Sequence, residues 1–321
     1  MSNITCTSRR RLAMLLIIQA LSVLVSAWPA LALEDVLISY AGPSITFLPA
    51  EIARQRGFFR EQNLDVKLLL TRTEVDRAAL ASGNIHYTLR AGSTFVSAAR
   101  GLPVRIVFLG TTKPFWGLVV RPEIKSASEL KGKSMGIPGL LGSQQISAKF
   151  ILKQSGLDPD RDVIYRVVDT GTRIGAMLSG SIDSAMMDYG EAFRAKKMGL
   201  KLLINAADYH GLLAGGLGVN NSILRDQPDQ VRRVIRAMLQ ALRYLRENPE
   251  GTQQAMMTWL KLERDMAADI YQMAINNYTR NGMVEEAMLN SLVTTMLAEA
   301  GIKGVAPSQL TDFTLLQQAL K

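Results

Sequence analysis

Residue types able to do covalent or metal chemistry are few in this chain and widely spaced. Its 321 residues hold two histidines and one cysteine. His86 and His210 lie far apart, and neither has a second ligand at the short spacing a metal site needs. A strand position for His86 and a loop position for His210 suit structural or surface imidazoles. The chain carries no nucleophile elbow of the G-x-S-x-G kind, no phosphate loop ending in Gly-Lys, and no GxGxxG where a strand meets a helix. No catalytic residue, metal or cofactor is therefore expected.

Five turns offer a gentler chemistry. They read "GPSITF" from Gly42, "RAGSTF" from Arg90, "GLLGSQQ" from Gly139, "DTGTR" from Asp169 and "MDYGE" from Met187. Glycine lets a backbone come close to a ligand, and the free N–H groups at a helix start favour an anion. Plain turn chemistry explains each one separately. Five of them together favour a ligand cleft.

The elements around these turns alternate between strand and helix. "EDVLISYA" reads as a strand, "FLPAEIARQRG" as a helix closed by Gly57, and "LDVKLLL" as a strand after a left-handed turn at Asn63. "EVDRAALASG" then gives a helix, Ile85 to Leu89 a strand, Gly92 to Thr94 a polar turn, "TFVSAARG" a helix and "PVRIVFLGT" a strand. A second block beyond Arg121 repeats the scheme. It runs through a short helix at Ser126–Glu129, the strand "SMGIP", a helix after "GLLGS", the strand "VIYRVVD", the helix "IGAMLSG" and the strand "DSAMMD".

"ALASGNIHYT" and "AMLSGSIDSAMM" share one shape at domain-sized separation, which predicts two similar α/β lobes with largely parallel sheets. Each turn named above then stands at a strand's carboxyl end, where open α/β sheets hold ligands. After "GLLAGGLGVNN" the pattern becomes helical. "QPDQVRRVIRAMLQALRYLREN" places Val231, Val234, Ile235, Met238, Leu242 and Leu245 on one face, and such a tail is expected to pack on the first lobe.

The N-terminus indicates export. Arg9, Arg10 and Arg11 precede an apolar run from Leu12 to Trp28 and an "ALA" ending at Ala32, the pattern of a signal peptide cleaved after Ala32. An uncleaved anchor is disfavoured by Gln19, Ser22 and Pro29, and no cysteine follows the site to take a lipid. "SRRR" resembles the start of a twin-arginine signal, but the residues after it match poorly. Cleavage removes three arginines and no acid, so the formal charge falls from +9 by three, to +6. It also removes Cys6, so the exported chain folds on its core without a disulfide. The remaining basic excess leans toward anionic ligands, but no dense Lys/Arg run with interleaved aromatics points to nucleic acid.

The words "FLPAEIARQRGFFREQNLDVKL", "ALASGNIHYTLRAGSTFVSAARGLPVRIV", "GLVVRPEIKSASELKGKSMGIP", "GLDPDRDVIYRVVDTGTRIGAMLSGSIDSAM" and "QALRYLRENPE" follow one another in a telling order. In them the chain resembles the periplasmic substrate-binding proteins of ABC importers, in the nitrate/sulfonate/taurine and thiamine-precursor group. The resemblance implies a two-lobed type II clamshell with lobes at 33–119 plus 221–321 and at 120–220. Crossings are expected near Leu118 to Arg121 and Gly218 to Asn221, with closure by hinge motion on a bound solute.

By position, the resemblance places ligand-binding roles on Ser44, Thr46, Phe47, Gly92, Ser93, Trp116 and Gly117. It places further ones on Gly142, Ser143, Gln144, Thr170, Thr172, Asp188 and Tyr189. Arg90 departs from the small residue usual in relatives; it either clamps an anion in the cleft or pairs with an acid such as Asp188. Leu140, Leu141 and the glutamines replace a common Ser/Thr run, which speaks against simple sulfonate or nitrate recognition. Phe47, Trp116 and Tyr189 suit a flat organic anion or belong to the core.

The expectation is an exported, monomeric solute-binding protein that serves an ABC permease and its ATPase in the periplasm. A protein presenting its ligand to a membrane sensor kinase would need the same clamshell. Thiamine-precursor synthases share the fold but work inside cells with a cofactor lysine and a reactive histidine, which the leader argues against.

Overall fold

The computed structural model describes residues 32–140, 142–209 and 211–321. The expected leader up to Leu31, together with Leu141 and His210, lies outside the described residues.

Four strands come first: β1 (Glu34–Tyr40), β2 (Leu64–Leu70), β3 (Tyr87–Arg90) and β4 (Val104–Leu109). The next five, β5 (Trp116–Val120), β6 (Ser134–Ile137), β7 (Ile164–Val167), β8 (Ser184–Asp188) and β9 (Lys201–Asn205), form a second sheet. A tenth, β10 (Gly215–Asn220), returns to the first. The orders are β2-β1-β3-β10-β4 and β7-β6-β8-β5-β9, so the sheets repeat one topology. In each, one strand opposes the rest: β10 is antiparallel to β3 and β4, and β5 to β8 and β9. β1 with β3, and β6 with both β7 and β8, pair in parallel.

The strand that opposes each sheet is reached by a passage from the other one. These passages lie between Leu109 and Trp116 and between Asn205 and Gly215, upstream of the crossings that the resemblance implies. Leu118 to Val120 and Gly218 to Asn220 instead sit inside hydrogen-bonded ladders, because apolar extended runs such as "WGLVV" are what a buried strand needs.

The helices that reach toward the strand ends begin where the sequence supplies starts. α1 (Leu48–Gln55) has Pro49 in its first turn, and Gly57, at φ +80°, separates it from α2 (Phe58–Glu61). Asn63 takes the left-handed turn before β2 at φ +56°. α3 (Thr73–Ser82) follows β2.

The polar turn expected at Gly92 to Thr94 is already the first turn of α4 (Ala91–Ala99). The Ser93 and Thr94 hydroxyls donate to the Arg90 carbonyl at 3.2 and 2.8 Å, so these turn-forming residues brace a helix start. In the second sheet the corresponding helices are α5 (Ser143–Gln154), α6 (Arg173–Leu178) and α7 (Tyr189–Lys197).

The C-terminal segment is α8 (Asn221–Asp226), α9 (Pro228–Glu247), α10 (Pro249–Leu260), α11 (Arg264–Ala274), α12 (Glu286–Glu299) and α13 (Thr314–Ala319). α9 buries the six apolar residues named from its periodicity, each stabilising by about 1.5–3 kcal/mol. It packs on α1, α2 and α13, on the first sheet's side. The tail also reaches the second sheet's helices. α12 touches α5, with Lys153 paired to Glu299 at 2.7 Å, and the Arg194 guanidinium of α7 donates to the Leu260 carbonyl at 2.8 Å.

Candidate ligand-binding cavity

A cavity, part of it open to solvent, lies where the carboxyl ends of the parallel strands of both sheets meet. From the first sheet, the turn after β1 supplies Ser44, Thr46 and Phe47, the start of α3 supplies Thr73, and the β3–α4 junction supplies Arg90 and Ser93. From the second come Trp116 at the start of β5, the turn Gly142 to Gln144 after β6, Thr170 after β7, and Asp188 at the end of β8. Eleven of the residues named from sequence thus line one space.

Four do not. Gly92 has its space filled by Ser143, since a Cβ there would collide with the Ser143 hydroxyl; it sets how closely the walls approach. Gly117 lies against β9, where a Cβ would strike the Ile204 carbonyl and the Leu202 side chain, so its role is packing within the sheet. Thr172 is exposed and donates to the Asp169 carbonyl at 2.8 Å. Tyr189 opens α7 with its ring against Phe115, centroids 6.4 Å apart, and its hydroxyl donates to Asn205 Oδ1 at 2.7 Å. Burial pushes its phenol up to about 12. Phe47 and Trp116 are the aromatic rings that remain for a flat ligand.

Arg90 is 8 % exposed and pairs with Asp76, not with Asp188. Its Nε lies 3.9 Å from the Asp76 carboxylate, Nη1 donates to Thr73 Oγ1 at 2.9 Å, and Nη2 donates to the Thr71 carbonyl. Asp76 in turn accepts from the hydroxyls of Ser39 and Thr88. Desolvation holds the Arg90 pKa below the usual guanidinium value. The positive charge at the cavity wall is thereby fixed and largely balanced.

Asp188 caps α7 by accepting from the Glu191 N–H at 3.0 Å. Burial first, and the neighbouring Glu191 charge second, push its carboxyl up to about 7.

Sequence reading missed Arg173 and Glu191, both almost fully buried behind the second-sheet wall. The Arg173 guanidinium donates to Gln144 Oε1 at 2.7 Å and Thr170 Oγ1 at 3.3 Å, and also to the Met186 carbonyl and Glu191. The signal was present, since "DTGTR" and "MDYGE" each place a charge in the first turn of a helix that starts at the cleft. His86 accepts from the Leu37 N–H at 3.0 Å and does not line the cavity.

At the rim, Arg72 pairs with Asp169 at 2.7 Å and Arg77 donates to the Leu140 carbonyl at 2.9 Å, joining the two walls. Three residues lining the cavity leave a buried polar atom without a hydrogen-bond partner among the described residues: Thr46 Oγ1, Arg90 Nε and Trp116 Nε1. Such groups are normally satisfied.

Two sheets of matching order with a cavity at their facing strand ends define the fold of the type II periplasmic binding proteins. Solved structures agree. A protein of Bordetella bronchiseptica superposes with a TM-score of 0.78 at 19% identity, covering 89% of this chain and 96% of that one. The nitrate-binding protein NrtA of Synechocystis gives 0.75 at 14% identity over 89% and 88%. The alkanesulfonate-binding protein SsuA of Xanthomonas axonopodis, bound to MOPS, gives 0.67 at 14% over 89% and 97%.

Residues 44–252 match the NMT1/THI5 like family, and the chain belongs to that family. Among its relatives, the riboflavin-binding protein RibY of Chloroflexus aurantiacus is 25% identical over 234 residues, 70% of this chain and 66% of that protein. A 4-amino-5-hydroxymethyl-2-methylpyrimidine phosphate synthase of Saccharomyces cerevisiae is 26% identical over 227 residues, 64% of this chain and 65% of the synthase. In both cases the match spans just under two thirds of the relative's length.

Proposed function

We propose that the protein is an exported solute-binding protein. Freed of its leader at Ala32, it would work in the periplasm, capture a small flat organic solute between two lobes, and pass it to an ABC permease and its ATPase. The lobes would follow the sheets, with the chain exchanging between them in 110–115 and 206–214 instead of at 119/120 and 220/221.

The observation that carries this reading is the convergence of turns from both sheets on one cavity, lined by hydroxyl and amide side chains and by the rings of Phe47 and Trp116. A buried polar group left unmatched costs about 1–3 kcal/mol, so a solute that meets the hydroxyls and amides of this wall is favoured over one that does not. The starts of α4 and α5 add N–H groups of the same polarity. Because Asp76 balances Arg90, the geometry suits a heterocycle with carbonyl and ring-nitrogen acceptors better than a compact strong anion. The names of relatives, a riboflavin-binding protein and a pyrimidine phosphate synthase, point to the same class of ring. Arg90 and Asp188, the ionisable side chains lining the cavity among the described residues, are both engaged by buried partners, which favours capture over synthase chemistry.

The test is calorimetric titration of the leaderless protein with riboflavin and with 4-amino-5-hydroxymethyl-2-methylpyrimidine, set beside nitrate, taurine and aliphatic sulfonates. A heterocycle at a hundred times its dissociation constant should stabilise the fold by about 2.7 kcal/mol. Binding of nitrate or sulfonates with none of either heterocycle would overturn the solute class. Retention of the full-length chain in the cytoplasm after cell fractionation would overturn export.

A further inference from the structure

We infer that Arg173, a residue that does not line the cavity, sets the hydrogen-bond polarity of its second-sheet wall and so selects for acceptor-bearing solutes; this rests on the cavity being a solute site. A guanidinium can only donate. Arg173 takes the Gln144 amide oxygen at 2.7 Å and the Thr170 hydroxyl oxygen at 3.3 Å, and both of those residues line the cavity. Their donors, the Gln144 NH₂ and the Thr170 hydroxyl proton, are thereby left for the cavity side. With Gln144 held this way its amide has one orientation, and the wall presents hydrogens, not lone pairs.

The same group fixes the wall's shape. Arg173 also donates to the Met186 carbonyl in the middle of β8 and pairs with Glu191. Glu191 accepts from the Gly171 N–H at 3.1 Å, and its own N–H donates to Asp188 at 3.0 Å. Three turns that follow three different strands, β6, β7 and β8, are tied to one ion pair. Arg173 is 0 % exposed and Glu191 is 1 % exposed, and at such burial a well-packed apolar pair would be of similar stability. Polarity and register are what the charged pair adds. A solute turning N–H groups to this wall would set donor against donor, whereas carbonyl and ring-nitrogen edges find matched partners.

Two variants separate positioning from plain stability. Gln144→Glu keeps an oxygen for Arg173 but turns an acceptor into the cavity. Its melting temperature should stay within a few degrees of the parent, while riboflavin affinity falls at least tenfold; unchanged affinity would overturn the assignment. Arg173→Lys keeps the charge but loses the fork.

Hydrogen–deuterium exchange of ligand-free Arg173→Lys should accelerate in 142–145 and 169–172 and stay at parent rates in β5 and β10. Parent rates in both turns would overturn the positioning role. The exchange measurement needs no solute, so a parent protein that ignores riboflavin counts against the proposed solute class and leaves the Arg173 result to stand or fall by itself.

Discussion

Replacing Asp188 with Asn should raise stability at neutral pH, and the size of the gain follows from the burial of this carboxyl. In the fold it titrates near 7, held up by burial and then by Glu191, against about 3.9 in an unfolded chain. Because the folded value is raised, the unfolded state releases this proton first as pH climbs. The stability associated with the protonated form is complete below about pH 4 and is lost as pH rises through about 7. A thousandfold difference in proton affinity, at about 1.4 kcal/mol per tenfold, amounts to roughly 4 kcal/mol at most.

Asn cannot ionise, yet it caps a helix about as well as Asp, so the bond now made to the Glu191 N–H survives the change. Urea unfolding of parent and Asp188→Asn at pH 4.5 and pH 8 is the assay. The variant's advantage should be small at the lower pH and reach about 2–4 kcal/mol at the higher one. Equal differences at the two pH values would refute the buried, late-titrating carboxyl.

Other perturbations bear on the walls and the rim. Arg90→Ala should weaken solute binding by about 1.5–3 kcal/mol, a charge-assisted hydrogen bond's worth, and lower the melting temperature because Asp76 loses its counter-charge; unchanged affinity in calorimetry would remove Arg90 from the site. Gly92→Val should reduce affinity by pushing against Ser143 across the cavity, as read in the same titration, with the secondary structure intact by circular dichroism. Gly117→Ala should destabilise by about 1–3 kcal/mol through overpacking against β9, measured by urea unfolding. Arg72→Ala breaks the half-exposed pair with Asp169 and should change stability by less than about 1 kcal/mol, while stopped-flow release of bound riboflavin becomes faster.

Much of the architecture was legible in the chain because it rests on local rules. Period-two and period-3.6 hydrophobicity marked β1, β2, α9 and their neighbours, and Gly57 and Asn63 marked left-handed turns by residue type alone. The repeated Ser-Gly-to-strand motif announced two similar sheets, and the five strand-end turns contain ten of the eleven named residues that the fold brings to one cavity, Trp116 having come from the family resemblance.

What only tertiary structure decided was pairing. No local pattern says that β5 belongs with β8 and β9 or that β10 returns to β3, and the passages between sheets lie upstream of the crossings that the resemblance implied. Nor does sequence choose an acid for Arg90: Asp76, fourteen residues upstream on α3, comes within 3.9 Å only once β3 and α3 pack, while Asp188 is engaged at the start of α7. Tyr189 and Gly117 have site-like types and positions, yet a strand's alternation and a helix's first turn aim them into the sheet instead. Arg173 and Glu191 show the converse, since charges are read as surface residues until three turns fold around them and leave no water to bind.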